Sequence, residues 1–366
     1  MSAKLCLRAL GASIAIASTS ACGSQRQVIP PASMQISAGV RLGAVPACTG
    51  SRIGQAQCDV LVEVGSAASH YEGWTASQLE KAYKLPSSSK GEGQTVAIVA
   101  AYDNPRVAND LAKYRAAMGL PKAKFKKYNQ QGEQGNYPSG NPAWGIEMAL
   151  DVEMVSASCP KCKIDLVEAN SNSWYDLDTT EAEAVKLGAT IVSNSYSGRG
   201  GDPSYFDTNG VTYLASAGDD GLGILNPADF DDVVAVGGTQ LAKSKSGRGY
   251  TETIWTQSSH GCSTQPKPPW QHDTTCKYRL ANDVSAVAKG VSEYDTYPQG
   301  GWFEIDGTSI SCPFLAGVFG LAGNSTSQGG GRTFWFRGHR KYLNEVSGKR
   351  YSQQAGWGSP EGIGAF

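Results

Sequence analysis

Apolar and polar positions fall along the chain in blocks whose period changes from one block to the next. Thr95-Val96-Ala97-Ile98-Val99-Ala100-Ala101 is a continuous apolar run of strand length, and Pro105 to Leu120 carries a helical repeat with proline at its start. Ala143 to Ser158 predicts a second helix with a strand over 163–168 after it, and Ser173 to Leu187 predicts a third with a strand over 189–194 after it. Val211 to Ser216 and Asp232 to Val236 are further buried strands, and Ser309 to Leu321 is a late apolar helix. Apolar strands alternating with helices imply an α/β fold, a parallel doubly wound sheet with helices on both faces. In such sheets the chemistry collects at the carboxyl ends of the strands. No internal repeat is visible, which argues against a solenoid or propeller.

The first residues read differently. Lys4 and Arg8 precede the short apolar stretch Ala9 to Ala17, and small residues follow up to Ala21, the order of an export signal over 1–21. Ser20-Ala21-Cys22 also matches the end of a bacterial lipoprotein cleavage site, so lipid anchoring through Cys22 stands as the alternative to free secretion. Residues 22–73 form a Pro/Ser/Gly-rich approach segment with little periodicity, and the patterned domain runs over 74–366. No later stretch has the ~18 apolar residues of a membrane span, so a secreted, soluble monomer is expected.

Composition narrows the function. Lys and Arg number 32 against 33 Asp and Glu, a net charge of −1, so no basic excess exists to hold a nucleic-acid backbone. The 44 glycines in 366 residues lie well above the usual ~7% and have no period, which signals many tight turns. Of nine cysteines, Cys6 and Cys22 belong to the leader. Cys48 with Cys58, Cys159 with Cys162, and Cys262 with Cys276 are close enough in sequence to bridge in an oxidising compartment, although sequence alone does not fix the pairing. Cys159-Pro160-Lys161-Cys162 closes a helical pattern instead of opening one, so it reads as a structural staple before a redox motif. Zinc is weaker still, because no second close pair of ligands completes the set.

Chemistry concentrates at three places. Gly307-Thr308-Ser309-Ile310-Ser311-Cys312-Pro313 is a glycine turn, a hydroxyl and then an apolar helix, where backbone N–H groups favour developing negative charge. Alone, Thr308 or Ser309 is a helix cap. The G-T-S-x-x-x-P spacing, however, resembles the nucleophile setting of subtilisin-like serine peptidases. None of His70, His260, His272 and His339 sits in a context suited to a triad base. In its place in chain order stand Glu147 and Asp151, four residues apart and on one face of a helix. Two adjacent acids tend to hold one proton over a wide pH range, although such a pair is by itself usually a solvated face. Asp219 follows a buried strand and a glycine; in its protonated form it can donate to an oxyanion, and its plain alternative is a turn-forming acid.

In combination these features resemble the sedolisins, or serine-carboxyl peptidases, over roughly Trp74 to Phe366. The blocks include Asp103-Asn104-Pro105, the Glu147/Asp151 helix, Cys159-Pro160-Lys161-Cys162, Ser193-Asn194-Ser195-Tyr196, Ser216-Ala217-Gly218-Asp219, Asp283-Val284-Ser285-Ala286-Val287 and Gly307-Thr308-Ser309. The resemblance implies a subtilisin-like fold with Ser309 as nucleophile, Glu147 as general base and then acid, Asp151 as its partner and Asp219 as oxyanion donor. It also implies substrate contacts at Ser195 and Tyr196. The expected activity is endopeptidase cleavage of polypeptides in acid, through an acyl-enzyme on Ser309.

Three departures qualify the transfer. Only about fifty residues separate the leader from Trp74, where the family carries a long pro-segment. The family's calcium region is degenerate here, with Glu345 and Val346 the remaining candidates and Ser352 where a second acid belongs, so calcium should bind weakly or not at all. Tyr196-Ser197-Gly198-Arg199-Gly200 lacks the usual glycine pair and acid, so subsite preference does not carry over. The rival reading is a catalytically silent homologue that binds peptides or wall polymer; a cysteine enzyme using Cys312 is a third.

Overall fold

The Val/Ile/Ala run at the start of the domain is buried on both faces, as a central parallel strand must be. It forms β1 (Thr95–Ala101) of the computed structural model, which describes residues 43–49, 52–63, 70–323 and 329–366. The expected leader over 1–21 and the anchor residue Cys22 lie outside the described residues. Seven more strands complete the main sheet: β2 (Lys124–Asn129), β3 (Lys163–Ala169), β4 (Ile191–Asn194), β5 (Thr212–Ser216), β6 (Val233–Lys243), β7 (Tyr250–Ile254) and β8 (Val284–Val287). Their order is β7-β6-β5-β4-β1-β3-β2, with β8 also paired to β6. Every pairing is parallel except that of β7 with β6.

The longer helices among the described residues are α1 (Ala76–Ala82), α2 (Val107–Ala117), α3 (Pro142–Ser158), α4 (Trp174–Lys186) and α5 (Thr308–Ala322), and a single turn follows at Arg332–Trp335. Two of them, α3 and α5, are apolar nearly all round and therefore lie in the core. Every residue of α3 from Trp144 to Ser158 is buried. Its start is set by Asn141, whose side chain accepts from the N–H groups of Ala143 and Trp144, with Pro142 in the first turn. Pro160 keeps it from continuing. Helix α5 runs from Gly307, at φ 139°, to the left-handed Gly323. Where α5 passes α3, Gly317 has no room for a side chain, because a Cβ there would lie 1.9 Å from Ser158 Oγ.

A smaller antiparallel sheet, in the order Ala44–Pro46, Leu61–Glu63, Gly301–Asp306 and Lys289–Asp295, flanks the core. Half of it comes from the stretch expected to precede the domain. That stretch packs into the same body, because Ala56–Cys58 also pairs with Tyr196–Gly198. Disulfides join Cys48 to Cys58, Cys159 to Cys162 and Cys262 to Cys276, and Cys312 is a buried free thiol. Among the described residues no helix is long and apolar enough to cross a membrane.

Candidate active site

The site lies beyond the carboxyl ends of β4 and β5, where the chain leaves the sheet through Ser195 and through Gly218-Asp219. Helix α5 brings Ser309 there from one side and α3 brings Glu147 and Asp151 from the other. The Ser309 hydroxyl donates to Glu147 Oε2 across 2.9 Å. Asp151 Oδ1 accepts from Ser195 Oγ at 2.6 Å. Glu147 Oε1 and Asp151 Oδ2 are both buried and have no hydrogen-bond partner. Burial, and then the charge of Asp151, push the Glu147 carboxyl well above the ordinary range. Burial does the same to Asp151.

Asp219 reaches the opposite side of the serine. Its Oδ1 accepts from the Thr308 N–H at 2.8 Å and from Thr308 Oγ1 at 2.9 Å, which leaves Oδ2 buried and unpartnered. Burial, followed by the charge of Asp59, holds Asp219 well above the carboxylate range. The structure thus brings Ser309, Glu147, Asp151, Asp219 and Ser195 together. Tyr196 differs: its side chain is fully buried and donates to Glu181 at 3.2 Å, so only its backbone borders the cleft.

The alternatives for single residues fall away on burial. Glu147 and Asp151 are not a solvated helix face, since both are fully buried. Among the described residues no lysine or arginine forms an ion pair with Glu147, Asp151, Asp219 or Asp59, whereas the buried Asp283 has Arg279 at 2.8 Å. An uncompensated carboxyl cluster in a cleft marks chemistry more than stability. Among the described residues no imidazole is hydrogen-bonded to the serine, whose hydroxyl meets Glu147 and the Ser195 carbonyl; His260 bonds to Ser258 O and Gln354, and His339 to Thr333. Cys312 is buried beside Ser193 and Asn194, and burial raises its thiol well above the ordinary range, which opposes a reactive thiolate.

Sequence reading missed Asp59, which is buried between Ser197 Oγ, donating at 2.7 Å, and Ser216 Oγ, donating at 2.8 Å. Burial pushes its carboxyl up to about 7. The one signal was the apolar run Val60-Leu61-Val62 beside it, strand-like in an otherwise unpatterned stretch.

The calcium candidates do not fit an ion. Glu345 is half-exposed and faces Arg350 Nε at 3.7 Å, and the Val346 carbonyl is taken by the Lys349 N–H at 3.0 Å. A cation beside the one remaining carboxylate opposes calcium. Among the described residues no cluster of three or more His, Cys, Asp or Glu could hold a metal.

The chain matches the subtilase family model over residues 139–358. It is 29% identical to kumamolisin of Bacillus sp. (strain MN-32), across 67% of this chain and 51% of that protein. It is 22% identical to sedolisin of Pseudomonas sp. (strain 101), across 86% of this chain and 62% of that protein. The chain thus spans about half to three-fifths of the length of these curated relatives. The solved structure of Pseudomonas sedolisin, a serine-carboxyl proteinase, superposes with a TM-score of 0.70 at 22% identity, covering 80% of this chain and 96% of that one. The matched family model, the carboxylate pair where a histidine base is missing, and the shared fold lead to one assignment: the chain belongs to the subtilase family, and within it to the sedolisin type.

Proposed function

We propose that the chain is a serine-carboxyl endopeptidase that hydrolyses polypeptides in acid. The observation that carries this reading is the 2.9 Å hydrogen bond from Ser309 Oγ to the fully buried Glu147. Ser309 attacks a peptide carbonyl while Glu147 accepts its proton, then returns that proton to the leaving amine. Burial of both carboxyls, with the charge of Asp151 acting on Glu147, favours retention of a proton on the pair. Asp219, protonated at Oδ2, donates to the oxyanion together with the backbone N–H of Ser309.

Each role fixes a protonation state. Rising pH ionises Asp219 and strips the shared proton, so hydrolysis falls toward neutrality. Export belongs to the same proposal: three disulfides among the described residues suit an oxidising compartment. Digestion of denatured casein across the pH range, with Ser309→Ala as control, tests the reading. An optimum above about pH 8, where a neutral imidazole works, removes it. Retained peptide binding without cleavage at any pH favours the catalytically silent alternative.

A further inference from the structure

The chain threads its own site as an extended peptide. Ala56–Cys58 pairs antiparallel with Tyr196–Gly198, Ala56 opposite Gly198 and Cys58 opposite Tyr196. From the other side the Ala56 N–H donates to Asn172 O at 2.9 Å, and Asn172 Nδ2 donates to Ala56 O at 2.7 Å. The strand is therefore held between two segments, as a bound substrate strand is held.

The next residue reaches the reacting groups. Asp59 donates its N–H to Ser195 O at 3.3 Å, and its own carbonyl accepts from the Ser309 N–H at 3.2 Å. That carbonyl oxygen and the unpartnered Asp219 Oδ2 lie 2.6 and 3.0 Å from one point, the position a Cβ on Gly307 would take. Gly307 is thus a glycine because a peptide carbonyl and an acid meet there. Beyond the carbonyl, Val60 O accepts from the Ala47 N–H at 3.0 Å, and Leu61 pairs with Asp306. The chain is gripped on both sides of one peptide bond.

We infer that Asp59–Val60 is a self-cleavage site, and that the cleft takes a residue with a short carboxylic side chain immediately before the bond it cuts. The inference rests on the peptidase reading above. The recognition pocket is the pair Ser197 and Ser216, whose hydroxyls reach both oxygens of Asp59. Asp219, Asp220 and Glu147 are the other titratable groups facing it, all acids, so the neutral form of the side chain is the one accommodated.

The step conserves every atom. Ser309 Oγ bonds to the Asp59 carbonyl carbon as its proton passes to Glu147; the carbon–nitrogen bond to Val60 breaks, and that proton leaves on the new amine. Water then hydrolyses the Ser309 ester, which frees the Asp59 carboxyl and restores the hydroxyl. None of the three disulfides crosses the bond, since Cys48 and Cys58 both precede it. The cut therefore separates two polypeptides, the second beginning at Val60.

The test uses the full chain, purified and brought to about pH 4, followed by intact mass and N-terminal sequencing. Wild type is expected to yield a species starting at Val60, and Ser309→Ala and Asp59→Lys are expected not to. A separate arm adds to wild type two peptides copied from residues 55–62, with serine in place of cysteine, one carrying Asp and one Lys before the bond. The Asp peptide is expected to be cut at least ~10-fold faster. Equal rates overturn the pocket assignment. Casein digestion by a chain whose Asp59–Val60 bond stays intact overturns the self-cleavage site and leaves the peptidase reading standing; a chain that cuts neither casein nor itself overturns both.

Discussion

Ser309 and Glu147, 162 positions apart in sequence, meet through one hydrogen bond between the first turn of α5 and the second turn of α3, both buried helices. Nothing else accepts the hydroxyl proton as well, since the only other acceptor near it among the described residues, the Ser195 carbonyl, lies at 3.5 Å. Glu147→Gln keeps the shape and removes the base. Its kcat is expected to fall by at least ~100-fold with KM nearly unchanged. Peptide hydrolysis within a factor of two of wild type shows that the proton goes elsewhere.

Asp219 has two separable functions, accepting from Thr308 and donating from Oδ2. Asp219→Ala removes both and is expected to lower kcat by ~100- to 1,000-fold. Asp219→Asn keeps an acceptor for Thr308 and supplies an N–H donor that does not ionise. It should retain more activity than the alanine variant and lose less of it as pH rises. Identical pH profiles for wild type and Asp219→Asn show that this acid does not set the alkaline limit.

Stability should also be higher in acid. Burial raises the carboxyls of Asp59 and Asp295 to about 7, and it also raises those of Glu147, Asp151 and Asp219. The folded chain then binds more protons than the unfolded one between about pH 4 and 8, so unfolding free energy falls as pH rises through that window. A tenfold gain in a carboxyl's proton affinity on folding is worth ~1.4 kcal/mol, and several groups add. Urea denaturation of Ser309→Ala, chosen so that the sample does not digest itself, should show a lower midpoint at about pH 7.5 than at about pH 4.5. A midpoint that rises with pH contradicts the burial of these acids.

Helix separation gives an independent check. Gly317→Ala places a methyl against Ser158 Oγ and the Val155 carbonyl, forcing α5 away from α3. The expected loss is ~1–3 kcal/mol of stability, with kcat falling because the serine and its base ride on the two helices. Gly247→Ala, where a Cβ meets nothing within 4 Å, is the control and should change neither.

Most of the sheet was legible because its strands are buried on both faces and write continuous apolar runs. The Thr95–Ala101 strand matches its expected bounds, and helices α3, α4 and α5 begin and end within one residue of theirs. Edge elements were not legible. Lys-Phe-Lys-Lys-Tyr-Asn in β2 pairs on one side only, keeps Lys124 and Lys126 exposed and pairs Lys127 with Asp103 and Glu168, so it has no apolar run to betray it. The Glu147/Asp151 spacing was readable from helix geometry. Asp59 was not, because it is held by a strand pairing with Tyr196–Gly198, 138 residues away, and no local period reports such a contact.

The close passage of α5 over α3, with Gly317 against Ser158, implies a safeguard in time. A nucleophile and base supplied by separate buried helices come into register only when the interior has closed, so a nascent or partly unfolded chain carries an ordinary, unreactive serine. Reactivity here is a property of the finished molecule and arrives late in its assembly.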